Sequence, residues 1–223
     1  GGARGGNVNL FQYFVRGSQT PPPPRDAGTR FTIHLSVYTG EKGEGTVQDL
    51  EKIDRLALRM FAFNQGDAKR IQHLVKVHRF AQLIGRMEKL DDHTQWLVEC
   101  AALVHDIGIR PAEEKYGSCD GRLQEKEGPA YARALLTELG FDGADVERIC
   151  YLVGHHHTYT HIDGMDYQIL VEADFLVNLY EDEAGPDAVH AALERVFRTQ
   201  AGRQLCRTLY EADPCPPAGS ARL

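Results

Sequence analysis

The sequence predicts an all-α protein, and two patterns carry that prediction. From residue 46 onward, apolar residues recur at intervals of three and four, which places them on one face of an α-helix. Glycine, proline or a capping side chain stands near the ends of these stretches. Residues 31–38 instead alternate apolar and polar residues, but a lone strand without a partner is not stable. We therefore expect a bundle of about six to eight helices.

The chain divides into three parts by composition. Residues 1–45 contain two glycine clusters and four consecutive prolines, which favour a flexible or disordered N-terminal segment. Residues 46–212 carry the helical pattern and form the predicted domain. Residues 213–223 are predicted to be a frayed tail.

The predicted helices follow one another with short breaks. The first begins at the N-cap Thr46 and ends before Asn64, where polar residues and a glycine interrupt the apolar pattern. The others are expected near residues 68–88, 92–107, 128–140, 142–156, 165–181 and 186–210. The polar stretches 110–127 and 158–164 are predicted to be irregular loops.

Charge and composition exclude some classes of protein. The chain is 42% hydrophobic with a formal charge of −7, so a core can form but a nucleic-acid polymer is not an expected partner. No apolar run approaches the roughly 18–20 residues that a membrane span needs. The five cysteines form no C-x-x-C pair, which favours reduced thiols over a disulfide framework. The expected location is the cytoplasm.

Histidines and aspartates supply the candidate metal ligands. His105 and Asp106 are adjacent at a helix end, where both side chains can reach one ion. Asp174 lies inside a strongly apolar helix, where a carboxylate needs a metal, a hydrogen bond or a buried arginine. His73 fits a ligand or a partly buried histidine with a polar partner, and the triplet His155–His157 fits metal ligands or an exposed surface.

The order of these residues resembles the HD superfamily of metal-dependent phosphohydrolases. The resemblance covers roughly residues 65–185, and its most specific part is the segment Leu103–Gly108. It implies an HD-domain helical bundle around a divalent ion (Mn, Fe, Co, Zn, Ni or Mg) held by His73, His105, Asp106 and Asp174.

The resemblance leaves open whether one or two ions bind. In a two-ion centre, Asp106 would bridge the ions, and His156 and His157 would hold the second. The family's other histidine for that ion has no counterpart in residues 124–128, where Glu125 or Glu127 would have to replace it. The Gly-Tyr-Pro signature of the cyclic-dinucleotide phosphodiesterases is also missing.

The resemblance also implies a reaction, namely hydrolysis of a phosphate ester or anhydride by a metal-activated water. His105 and Asp106 are the expected catalytic residues, and His161 or Glu127 is a candidate proton donor to the leaving group. The candidates for binding the substrate phosphate, whose simpler interpretation is surface charge, are Lys76, Arg110, Lys115 and Arg122. The expected partner is a small phosphorylated molecule such as a nucleotide, and a homodimer is a possible assembly.

Other functional classes remain alternatives at this point. The first is a degenerate member of the same superfamily that binds metal or nucleotide as a sensor or scaffold without catalysis. The second is a structural helical protein whose histidines are incidental. A nucleic-acid-binding helical module is the third, and the acidic composition disfavours it.

Overall fold

The computed structural model describes residues 51–211, and these residues are helical, as predicted. They form nine α-helices and one 3-10 turn, His105–Gly108. The helices are α1 Lys52–Phe63, α2 Ala68–Met87, α3 Asp92–Val104, α4 Ile109–Tyr116, α5 Gly121–Glu138, α6 Gly143–Val153, α7 Met165–Glu181, α8 Pro186–Arg195 and α9 Gln200–Tyr210. The all-α prediction is confirmed.

The prediction of a loop over residues 110–127 was wrong. This stretch contains α4 and the beginning of α5. Pro111 does not stop a helix; it occupies the first turn of α4, where its missing N–H is tolerated. Likewise Asp120 caps α5 eight residues before the predicted start, and Pro129 lies inside that helix. The exposed polar residues of α4 concealed its short apolar face, which is Pro111 and Ala112.

The single helix predicted over residues 186–210 is broken into α8 and α9. The break depends on Glu172, a fully buried carboxylate on α7. Its Oε1 accepts hydrogen bonds from the backbone N–H groups of Arg198 and Thr199, at 2.6 and 2.8 Å. Thr199 also caps α9 by accepting from the Gly202 N–H. These bonds satisfy donors at the start of α9 that a continuous helix would have used internally.

Helix α7 is the central element of the described core. Twelve of its seventeen residues are buried, which is why its sequence is apolar on nearly every face. It packs against α2, α3 and α9, and α2 packs against α3. Cys100 and Cys150 are buried with the apolar residues, as expected for free thiols in a core.

Two glycines allow close packing on α5, Gly108 where the 3-10 turn meets it and Gly128 where α6 meets it. A Cβ added to Gly108 would lie 2.3 Å from the carbonyl oxygen of Gln124 and 2.9 Å from the Gly128 nitrogen. A Cβ added to Gly128 would meet the Val153 side chain at 2.7 Å. Glycine at these positions is therefore a packing requirement, and it determines where the His105–Asp106 pair lies.

Some predictions concern residues outside the described range. They are the flexible segment 1–45 with its strand 31–38, the cap at Thr46 and the tail 213–223. Within residues 51–211, no helix combines the length and the apolar character that crossing a membrane requires.

Candidate metal centre

The predicted ligands come from four separate elements. His73 lies in the middle of α2, and His105 and Asp106 begin the 3-10 turn that follows α3. Asp174 projects from α7, and His156 follows the end of α6. The packing of α2 and α3 on α7 brings these side chains together, although His73 and Asp174 are 101 positions apart in the sequence.

Four of these side chains converge through one atom each. The Nε2 atom of His73 lies 3.3 Å from Nε2 of His105, 3.4 Å from Oδ2 of Asp106 and 3.2 Å from Oδ1 of Asp174. The Nε2 atom of His105 lies 3.4 Å from the same Asp106 oxygen and 3.5 Å from the same Asp174 oxygen. Each of the two histidine nitrogens therefore lies within 3.5 Å of one oxygen from each aspartate.

This spacing matches the requirements of a divalent ion. Donor atoms about 2.0–2.2 Å from one ion stand roughly 3.0–3.5 Å apart at octahedral to tetrahedral angles. A mixture of imidazole and carboxylate ligands suits Mn, Fe, Co and Zn, and Mg when water fills the remaining positions.

A second donor set shares Asp106 with the first. Its Oδ1 atom, the oxygen that does not face His73, lies 3.5 Å from Nε2 of His156. His157 adds a ring nitrogen, and the three ligand atoms lie within 4.8 Å of one another. The two oxygens of Asp106 therefore point toward two different groups of histidines, as a carboxylate bridging two ions would.

The hydrogens of the histidine rings support this interpretation. Nδ1 of His105 lies 2.9 Å from the Ala102 carbonyl oxygen, and Nδ1 of His156 lies 2.9 Å from the Val153 carbonyl oxygen. Because a carbonyl only accepts, each Nδ1 carries the hydrogen and each neutral ring presents the Nε2 lone pair to the cluster. The Nε2 atom of the fully buried His156 makes no hydrogen bond with any described residue. The Nε2 lone pairs of His105 and His156 both face oxygens of Asp106, and such a set of acceptors fits a cation.

When no ion is bound, the charges of the cluster shift the pKa values of its own side chains. Burial opposes a charge on His73, but Asp174, Glu181 and Asp106 outweigh it and raise the pKa of His73 to about 10. Burial would also raise the pKa of Asp106, but His105, His156 and His73 hold it well below its usual range. Burial and the neighbouring His156 lower the pKa of His157 to about 3, so this ring is neutral and able to ligate.

The role of the two predicted proton donors, Glu127 and His161, stays a prediction, and their described surroundings are as follows. Glu127 accepts hydrogen bonds from Lys115 and from the Tyr116 hydroxyl, at 3.0 and 2.6 Å. His161 is exposed and has a positive φ of 60°. Glu125, the other candidate substitute ligand, accepts a hydrogen bond from the backbone N–H of His157 at 3.0 Å. This bond helps to position His157, which belongs to the second donor set.

The predicted phosphate-binding cations also have partners of their own. Lys76 binds Glu181, Arg110 donates to the Phe63 carbonyl oxygen at 2.6 Å, and Arg122 lies 3.9 Å from Asp120. With Lys115 on Glu127, each of the four cations contacts a described acceptor. Their role at a substrate phosphate stays a prediction.

Sequence reasoning missed three side chains around the cluster. Gln124 places its Oε1 3.1 Å from Nε2 of His157, and Glu181 places its Oε2 3.2 Å from Nδ1 of His73. The buried hydroxyl of Tyr159 has no hydrogen-bond partner among the described residues. A signal existed for Glu181, because it follows Asp174 by seven residues, two helical turns along the same face.

Comparison with known proteins identifies the family of the chain. No curated protein matches it. The chain is similar to a predicted HD superfamily hydrolase from an uncultured Thermotogales bacterium, whose crystal structure it matches with 28% identity, coverage of 71% of this chain and 83% of that one, and a TM-score of 0.49. The family model of the HD domain matches residues 70–199, more than half of the 223 residues, and this range includes every ligand of the two donor sets. The chain therefore belongs to the HD domain family.

Proposed function

We propose that this protein is a metal-dependent phosphohydrolase that cleaves a phosphate ester or anhydride of a nucleotide or another small metabolite. The observation that carries the proposal is the position of Asp106, whose two oxygens face two sets of histidine nitrogens at 3.4 and 3.5 Å. Pairs of ions about 3.5–4 Å apart are typical of enzymes that act on phosphate groups, including phosphatases and nucleases. Membership of the HD domain family supports a metal-dependent hydrolase more generally.

The side chains of this chain have distinct tasks in the proposed reaction. His73, His105 and Asp174 would hold the first ion, and His156 with His157 would hold the second. Asp106 would be shared by the two sites and would orient the attacking water by accepting a hydrogen bond from it. A bound divalent ion supplies positive charge, which makes coordinated water acidic and stabilises negative charge on phosphate oxygens. The burial of His105 and Asp174 keeps bulk water away from these charges.

Metal analysis and turnover test the proposal together. The protein is purified without a histidine tag or chelator, its metal content is measured, and hydrolysis of phosphate esters and nucleotides is assayed with Mn²⁺, Co²⁺, Mg²⁺ and Fe²⁺. We expect His105→Ala and Asp106→Ala to lose both bound metal and hydrolysis. His190→Ala is the matched control, because His190 is an exposed histidine on α8 outside both donor sets.

Two results would contradict the proposal. Unchanged turnover of either variant in a metal-replete assay would remove the site from the reaction. Stoichiometric metal in the wild-type protein without hydrolysis of any substrate would instead favour the sensor or scaffold alternative.

A further inference from the structure

One ligand of the candidate centre is held differently from the others. His105 and His156 each donate from Nδ1 to a carbonyl oxygen three residues earlier in their own segment. Nδ1 of His73 instead lies 3.2 Å from Oε2 of Glu181, a carboxylate on another helix. The orientation of His73 therefore depends on the packing of α2 against α7.

Glu181 is itself held in place at two points. Its side chain is 11% exposed, and its second oxygen, Oε1, accepts a hydrogen bond from the Lys76 ammonium at 2.5 Å. Lys76 lies one turn after His73 on α2, and its ammonium lies 5.5 Å from the centre of the Tyr180 ring. One oxygen of Glu181 thus contacts the ligand and the other contacts an anchored cation.

This arrangement determines which nitrogen of His73 is available to a metal. An ionised carboxylate only accepts hydrogen bonds, so Nδ1 of His73 must carry the hydrogen that points at Glu181. The lone pair of the neutral ring is then on Nε2, the atom that faces His105, Asp106 and Asp174. A carboxylate in this position also makes the imidazole a stronger ligand.

We propose that Glu181 is the positioning residue of the metal centre, and that Lys76 holds Glu181 instead of binding the substrate phosphate. Glu181 fixes the ring orientation and tautomer of His73, and Lys76 fixes the carboxylate. The inference rests on the proposed function in one respect, because it takes His73 to be a ligand of a divalent ion.

Metal affinity tests the inference without any substrate. The dissociation constant of Zn²⁺ is measured on the metal-free full-length protein by competition with a fluorescent chelator. We expect Glu181→Ala to bind Zn²⁺ about 10–100-fold more weakly, the usual effect of losing such an outer partner. Glu181→Gln should lose less, because its amide oxygen still accepts from Nδ1. Lys76→Met should weaken binding by a smaller factor than Glu181→Ala.

A matched control and a second readout separate positioning from a general loss of structure. Glu138→Gln removes a carboxylate whose partner is Arg59, away from the histidines, and should leave Zn²⁺ affinity unchanged. Glu181→Gln is nearly isosteric and should keep the helical circular dichroism of the wild type. Long-range ¹H–¹⁵N correlation spectra of the Zn²⁺ form report the tautomer of His73, which should lose its Nδ1–H signature or broaden in Glu181→Ala.

The outcomes distinguish this inference from the proposed function. If the wild-type protein binds no ion, the proposed function fails. If the wild type binds Zn²⁺ and both Glu181 variants bind it equally well, only the positioning role is overturned. If Lys76→Met leaves Zn²⁺ affinity unchanged, the role assigned to Lys76 is overturned.

Discussion

At the scale of single residues, the main feature of the candidate site is the raised pKa of two of its histidines. In the metal-free protein the pKa of His73 is raised to about 10, from an ordinary value of 6.5, because three carboxylates outweigh the effect of burial. The pKa of His105 is raised as well, by Asp106 and Asp174 against the effect of burial. A divalent ion must therefore displace protons that these carboxylates have attracted.

Metal binding should therefore be coupled to proton release. We expect at least one proton to leave when Mn²⁺ or Zn²⁺ binds at pH 7.5, and affinity to rise between pH 6.5 and 9 as this displacement becomes easier. Calorimetry in Hepes and Tris, which differ in ionisation enthalpy, counts the protons. Equal heats after correction for the metal–buffer interaction, or tighter binding at lower pH, would contradict the expectation.

The same pKa shift gives the metal-free fold a pH dependence of the opposite direction. A raised pKa means that the protonated form of His73 is favoured by folding. Its contribution to stability is complete below pH 6.5 and is lost as the pH rises toward about 10. Alkaline conditions should therefore weaken the metal-free fold while they strengthen metal binding.

At the scale of elements, the 3-10 turn is the part whose position the site needs most. It carries both His105 and Asp106, and it lies against the backbone of α5 through Gly108. A Cβ added to Gly108 would lie 2.3 Å from the backbone carbonyl oxygen of Gln124, which cannot rotate away as a side chain can. A larger residue must therefore move the turn, the helix or both.

Gly108→Ala should destabilise the protein and weaken its metal site together. We expect a loss of about 1–3 kcal/mol in the free energy of unfolding, the usual cost of overpacking, with weaker Zn²⁺ binding. Gly143→Ala is the matched control, because a Cβ at Gly143 meets nothing within 4 Å. Urea unfolding and chelator competition measure both quantities. A Gly108→Ala protein as stable as the control would show that the turn has room for a methyl group.

The break between α8 and α9 also depends on a contact between separate elements. The periodicity of residues 186–210 predicts one helix, yet Glu172 of α7 binds the chain at Arg198 and Thr199 and starts a new helix there. The signal for this break lies in a residue that precedes it by more than twenty positions. Local pattern therefore predicted that these residues are helical but not that the helix is interrupted.

At the scale of the whole molecule, the candidate centre joins helices that the chain keeps far apart. α2, the 3-10 turn, α7 and the segment after α6 each supply a ligand. An unfolded chain cannot present these side chains together, so an ion that binds the folded form alone must stabilise it.

Metal addition should therefore raise the melting temperature. Free ion at about 100 times its dissociation constant stabilises a fold by roughly 2.7 kcal/mol, or about 5–10 °C for a domain of this size. Differential scanning fluorimetry with and without EDTA measures the shift. His73→Ala should show little of it, while the control His190→Ala should shift as the wild type does. An identical melting temperature with excess metal and with EDTA would argue against an ion bound by the folded state.

The amino-acid sequence by itself determined the helical class and the residue types available to a metal. Both can be read from short stretches of sequence without knowledge of how the helices pack. The shared site of His73, His105, Asp106 and Asp174 was predicted from the resemblance of their order to that of the HD superfamily. Only the tertiary structure decided that Asp106 faces two donor sets, that Lys76 pairs with Glu181, and that Glu172 divides the last helical stretch. Each of these features joins side chains from different elements. The reason is physical: a helical pattern states which face of a helix is buried, but the partner of that face and the rotamers between them depend on the packing of the whole domain.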